Sequence, residues 1–122
     1  MGLRLLIVDD NQMQIDTLFT FLNFEEYGIS DIQTAANGVM CLEIASWFHP
    51  HIIITDIEMP KMDGHNLCKR IKTNEKMKNI PVYLFSSLIN EQMRLKGESV
   101  GADAQFSKPQ INELIDYLRK HI

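Results

Sequence analysis

The chain has 122 residues, 45% of them apolar and 23% charged, with a formal net charge of −4. That length suits a single domain over residues 1–122 with a real core, and the acidic balance excludes the basic footprint of a nucleic-acid binder. No apolar run approaches the ~20 residues of a membrane span, and no leader segment is visible before the first strand.

Short apolar runs alternate with segments of helical period, the pattern of an α/β fold. Residues 4–8 open the chain as a nearly all-aliphatic strand, the kind covered on both faces. The stripe Ile15, Leu18, Phe19 and Leu22 predicts a first helix that stops before Gly28. Residues 32–35, shorter and more polar, are expected near a sheet edge. The Asn37-Gly38 turn introduces a second helix with Val39, Leu42 and Ala45 on its inner stripe. Ile52–Thr55 is the next buried strand, and Leu67 and Ile71 anchor a third helix opening near Gly64. Residues 82–85 enter a fourth strand through Pro81, a residue tolerated at a strand's start. Asn90 is placed to cap a fourth helix that ends at Gly101. Ala104–Ser107 is the last strand, and Asn112, Glu113, Leu114, Ile115 and Leu118 mark a fifth helix just past Pro109. Right-handed crossovers between parallel strands then give a doubly wound sheet with helices on both faces.

The chemistry gathers at strand ends, which is where ligand sites form in open α/β sheets. Asp9 and Asp10 close the first strand, Asp56 the third, Ser86 the fourth, and Lys108-Pro109 follows the fifth. Three acids at one edge repel each other unless a cation sits among them. The pattern points to a Mg²⁺-assisted phosphoryl acceptor, with Asp56 as the acceptor and Asp9 and Asp10 as hard oxygen ligands. The backbone carbonyl of Glu58 is a further candidate ligand. Pro60 and Gly64 tighten the loop after Asp56, leaving its carboxylate little freedom. Ser86 is positioned to hydrogen-bond a phosphoryl oxygen, and Lys108 brings a positive charge for carboxylate or phosphate. Two plainer readings stand beside these: Asp56 capping the amides of its own loop, and Asp9-Asp10 as acids at a helix start. The isomer of the Lys108-Pro109 peptide is open.

Other residues are expected to be ordinary. Cys41 and Cys68 lack the spacing of a redox pair or zinc site and are read as packed thiols of a cytoplasmic protein. His49, His51, His65 and His121 are read as surface or loop residues, and Lys69, Arg70, Lys72, Lys76 and Lys78 as a solvated face. Trp47 and Phe48 are expected to pack.

Asp9-Asp10, Asp56 with Met59-Pro60 and Met62-Asp63-Gly64, Ser86, Gly101-Ala102-Asp103 and Lys108-Pro109 fall in one register along nearly the whole chain. In this the sequence resembles the CheY-like receiver domains of two-component response regulators. The resemblance implies a flavodoxin-like (βα)5 domain with strand order 2-1-3-4-5. It also implies Mg²⁺-dependent transfer from a histidine kinase to Asp56, and a shift of the surface built from the fourth helix, fifth strand and fifth helix toward a downstream protein. Receivers carry Tyr or Phe three residues before the lysine as a switch partner to the hydroxyl of Ser86; Gln105 stands there, with Phe106 beside it. Leu88 is a candidate shield for the phosphoaspartate. The stretch from Ser86 to Asp103 further resembles receivers of CheV-type chemotaxis adaptors. A receiver that is never phosphorylated and serves as a constitutive interaction module is the alternative, although such chains usually lose the acids or the lysine. An aspartyl-intermediate phosphatase would place a second Asp where Glu58 stands, and a flavin carrier would need a phosphate-cradling loop after the first strand.

Overall fold

The computed structural model describes residues 2–87 and 89–122, so Leu88, the expected shield, lies outside the described residues. In chain order the elements are β1 (Leu3–Val8), α1 (Gln12–Phe21), α2 (Phe24–Tyr27), β2 (Ile29–Ala35), α3 (Gly38–Phe48), β3 (Ile52–Thr55), α4 (Gly64–Lys72), β4 (Val82–Ser86), α5 (Glu91–Ser99), β5 (Ala104–Ser107) and α6 (Ile111–His121), with a 3-10 turn over Lys108–Gln110 before α6. The five strands run parallel in the order β2-β1-β3-β4-β5. The fold is flavodoxin-like, with helices on both faces, as the resemblance implies.

Strand alternation divides the core. Leu5, Ile7, Ile54, Tyr83 and Phe85 face one way, against Ile15 and Leu18 of α1 and Leu114 and Leu118 of α6. Leu6, Val8, Ile53, Val82 and Leu84 face the other, against Cys41 and Ala45 of α3 and Leu67, Cys68 and Ile71 of α4. Each fully buried aliphatic side chain contributes roughly 1.5–3 kcal/mol, so the central strands and these four helices carry most of the packing energy. Both cysteines are buried free thiols, and burial pushes Cys41 up to about 12 and Cys68 up to about 11. Among the described residues no helix is long and apolar enough to cross a membrane.

Several expectations are corrected. The first helix does not run on toward Gly28: it ends at Phe21, and the Asn23 side chain accepts the Glu26 amide to start α2, which Gly28 closes in the left-handed region at φ 67°. β2 begins three residues earlier than predicted, and as an edge strand it tolerates the exposed Ser30 and Asp31. The inner stripe of α3 is Cys41, Ala45 and Phe48; Val39 is 51% exposed. Trp47 does not pack inward either, its ring standing edge-on to Phe48 from the solvent side. His65 is not a surface residue but is 3% exposed in the first turn of α4. Lys72 leaves the solvated face to donate to the Ile80 carbonyl at 2.8 Å and pair with Asp103 at 2.7 Å.

Candidate functional site

The site begins with backbone geometry. The Asp9 amide donates to Ala35 at 3.0 Å and the Asp56 amide to Val8 at 2.8 Å, which fixes both acids at the C-terminal edge of neighbouring strands. The chain then turns at once, because Asn11 caps α1 by accepting the amides of Met13 and Gln14. Asn11 went unsingled in the sequence; Asp9-Asp10-Asn11 offers three capable side chains, and only the turn selects the third. Freed from capping, Asp9 Oδ1 accepts the Asn11 amide at 2.9 Å and its other oxygen faces the crevice. Asp10 is exposed, yet carboxylate oxygens of Asp9, Asp10 and Asp56 lie within 4.8 Å of one another.

After Asp56 the chain returns sharply to α4. The Gly64 amide donates to the Ile57 carbonyl at 2.8 Å, and a Cβ at Gly64 would stand 2.1 Å from the Asp56 carbonyl oxygen. Glycine is therefore demanded by close approach of backbone to backbone, beneath the acid itself. Asp63 caps α4 by accepting the Asn66 amide, which pins the far end of the loop. The Ile57 amide donates to Asp56 Oδ1 at 2.8 Å. The plainer reading of Asp56 thus holds for one oxygen, while Oδ2 remains turned to Lys108.

Lys108 arrives from the far edge of the sheet. Its Nζ donates to Asp9 Oδ2 at 2.7 Å and stands 3.4 Å from Asp56 Oδ2, with its side chain 12% exposed. The peptide before Pro109 is trans. Burial pushes the Asp56 carboxyl above its ordinary range; Lys108 draws it down, Asp9 pushes it up again, and the Ile57 amide lowers it. An acid so placed favours gaining a cation or losing its charge. The three carboxylates suit a small hard cation in donor chemistry, since Mg²⁺ takes oxygen ligands and keeps part of its water shell.

Ser86, at the end of β4, is 1% exposed, and its Oγ is buried without a hydrogen-bond partner. A buried hydroxyl of this kind calls for a hydrogen-bond partner. Gln105, expected to act with it, is turned to α5, where Nε2 donates to the Arg94 carbonyl at 2.9 Å. Glu58 is exposed in the loop two residues past Asp56. The structure therefore gathers Asp9, Asp10, Asp56 and Lys108 in one crevice and leaves Gln105 outside it.

Residues 5–119 match the family described as the response regulator receiver domain. The chain is 34% identical to protein PilG of Pseudomonas aeruginosa over 99% of its own length and 88% of that protein's. It is 31% identical to the DNA-binding dual master transcriptional regulator RpaA of Synechocystis over 95% of its length, but spans only 47% of RpaA. Among solved structures, the signal receiver domain of a signal transduction histidine kinase from Syntrophus aciditrophicus superposes with a TM-score of 0.84 at 29% identity, covering 98% of this chain and 89% of that one.

Proposed function

The chain belongs to the response regulator receiver domain family, and on that premise we propose that it is the phosphoacceptor of a two-component pathway, with Asp56 taking a phosphoryl group from a histidine kinase. The observation that carries the reading is the crevice itself: three carboxylates within 4.8 Å of one another, and Lys108 reaching two of them. Family membership alone would not distinguish an active receiver from an inert one; this constellation favours the active one.

The Ile57 amide orients Asp56 Oδ1 and leaves it a lone pair for the metal, while Oδ2, facing Lys108, is the attacking oxygen. Its bond to phosphorus forms as the phosphorus–nitrogen bond of the kinase phosphohistidine breaks, and the imidazole nitrogen leaves with that electron pair. Asp9, Asp10, Asp56 and the Glu58 carbonyl are the groups that would hold Mg²⁺. Bound there, the ion supplies positive charge that lets an anionic phosphoryl group approach an anionic acid. Lys108 meets the charge spread over the transferring oxygens from the opposite side, and the Ser86 hydroxyl donates to one of them. The acyl phosphate so formed is the signal, so the domain, residues 1–122, accepts and slowly loses one group rather than turning over a small substrate. Ser86 and Gln105 then bias the surface of α5, β5 and α6 that a downstream protein reads. The stretch from Ser86 to Asp103 favours a cytoplasmic chemotaxis pathway.

Incubation with acetyl phosphate and Mg²⁺, read by intact mass, is expected to add one phosphoryl group to the wild type and none to Asp56→Asn. Lys108→Ala is expected to slow the gain by about 10²-fold or more, the size of effect seen when one charge-stabilising donor is removed. No gain in the wild type, or equal gain in Asp56→Asn, sinks the reading and leaves an unphosphorylated interaction module in its place.

A further inference from the structure

α5 is a helix that buries little of itself, its Met93 packing on the edge of the core beside α4. Gly97 is its one buried residue; Met93 is half-buried, and Glu91, Gln92, Arg94, Leu95, Lys96, Glu98 and Ser99 are exposed. Polar side chains also lie against it, His65 of α4 and Gln105 of β5. Among the described residues three buried side-chain atoms lack a hydrogen-bond partner: His65 Nε2, Ser86 Oγ and Gln105 Oε1. His65 sits on α4 beside Lys96 of α5. Gln105 pairs with Leu84 in the β4–β5 register, and Ser86 lies two residues further along β4 on the same face.

Gln105 reaches α5 in a specific way. Its Nε2 donates to the Arg94 carbonyl, and its amide fills the notch left by the missing side chain of Gly97. A Cβ at Gly97 would stand 2.3 Å from Gln105 Oε1 and 2.5 Å from Cδ, so the glutamine and any larger residue at 97 cannot both hold these positions. Glycine in a helix interior is otherwise unfavourable, and the three atoms nearest to a Cβ at this position all belong to Gln105. The Nε2 of Gln105 is engaged by Arg94, while its Oε1 lies in the notch at Gly97 with no protein partner among the described residues.

We propose that Gln105 and Gly97 form a latch between β5 and α5, with Gln105 as the positioning residue and Gly97 as its seat, and that phosphorylation at Asp56 acts by releasing it. The proposal rests on the receiver reading above and gives the route by which the signal leaves the site. In place of an aromatic ring changing orientation, a side-chain amide lets go of the Arg94 carbonyl. α5 then moves as one piece, and its polar underside gains water. The latch biases the resting state, so removing it raises the population that accepts a phosphoryl group.

The test uses beryllofluoride with Mg²⁺ as a phosphoryl analogue, titrated into the wild type, Gly97→Ala, Gln105→Ala and the double variant. Gly97→Ala expels the Gln105 amide while favouring the helix itself, and Gln105→Ala removes the amide outright. Each is expected to tighten beryllofluoride binding by about fivefold, the weight of one hydrogen bond, and the double variant is expected to gain no more than either alone. In the wild type, the Gln105 side-chain amide protons are expected to exchange slowly, and faster once beryllofluoride is bound; this readout needs no variant to fold. A gain of twofold or more that fails to add in the double variant supports the latch. Gains below twofold, additive gains, or fast exchange of the Gln105 amide in the resting protein overturn it. A wild type that binds no beryllofluoride overturns the receiver reading and the latch together; one that binds it, with the variants unchanged, overturns the latch alone.

Discussion

α5 and α6 flank the last strand, yet they are held by opposite means. α6 buries Leu114, Ile115 and Leu118 in the sheet, and its Tyr117 ring stands edge-on to both Tyr83 and Phe106 at 5.2 and 5.5 Å. α5 holds itself together instead: Arg94 pairs with Glu91 and Glu98 along its own exposed face, and Asn90 caps its first turn. A helix stabilised from within and seated by little more than Met93, Gly97 and the Gln105 amide can shift without unfolding. One stabilised only by what it covers cannot. The pair therefore separates the part of this surface that can move from the part that serves as its reference.

The contrast is most directly broken by truncation. Leu118→Ala should cost about 2–5 kcal/mol of unfolding free energy, the range for removing a large side chain from a closed core, whereas Met93→Ala on α5 should cost less than about 1 kcal/mol, because its side chain is only half-buried. Urea denaturation followed by circular dichroism measures both. Equal costs would mean that α5 is as firmly seated as α6.

Asp103 sharpens the comparison from the other end of β5. Its Oδ2 accepts the Val82 amide at 2.7 Å and pairs with Lys72 at 2.7 Å, so one carboxylate joins the start of β4 to α4. Asp103→Ala should cost about 1–3 kcal/mol, chiefly by stranding the Val82 amide. Hydrogen exchange should show the loss in β4 and α4, with the amides of α5 unchanged. Protection lost equally in α5 would mean that the three elements open together.

What the sequence made legible follows from continuity and phase. The aliphatic runs ending at Val8 and Thr55 admit only buried strands, and once the strands are parallel their ends must share an edge, which brings Asp9, Asp10, Asp56 and Lys108 together. The rotation of α3 was illegible because Gly38-Val39-Met40-Cys41-Leu42 is apolar on every side and carries no phase. The break at Asn23 was illegible because a continuous apolar stripe runs through Leu22, and the cap acts against it. His65 follows Gly64 in a polar stretch, and nothing local marks it as inward; its burial comes from α5 arriving over it. The glycine at 97 reads as a blemish in a helix until Gln105 is seen lying against it.

His65 gives the smallest effect and probes the same seam from α4. Burial and the neighbouring Lys96 ammonium hold its imidazole below the ordinary histidine range, while Asp63 at the start of its own helix and the Met93 backbone of α5 pull the other way. The folded state thus favours the neutral ring, and the unfolded chain binds a proton more readily. Stability from this group is fully present above the unfolded value of about 6.5 and is lost as pH falls through that value toward the lower folded one. One such group changes stability by at most about 1.4 kcal/mol per pH unit within that window. Denaturation midpoints measured from about pH 7.5 to about pH 5 should therefore fall less steeply in His65→Gln than in the wild type, the two curves converging in slope above the window. Parallel curves throughout would mean that His65 titrates freely in the folded protein, and that α5 does not close over it.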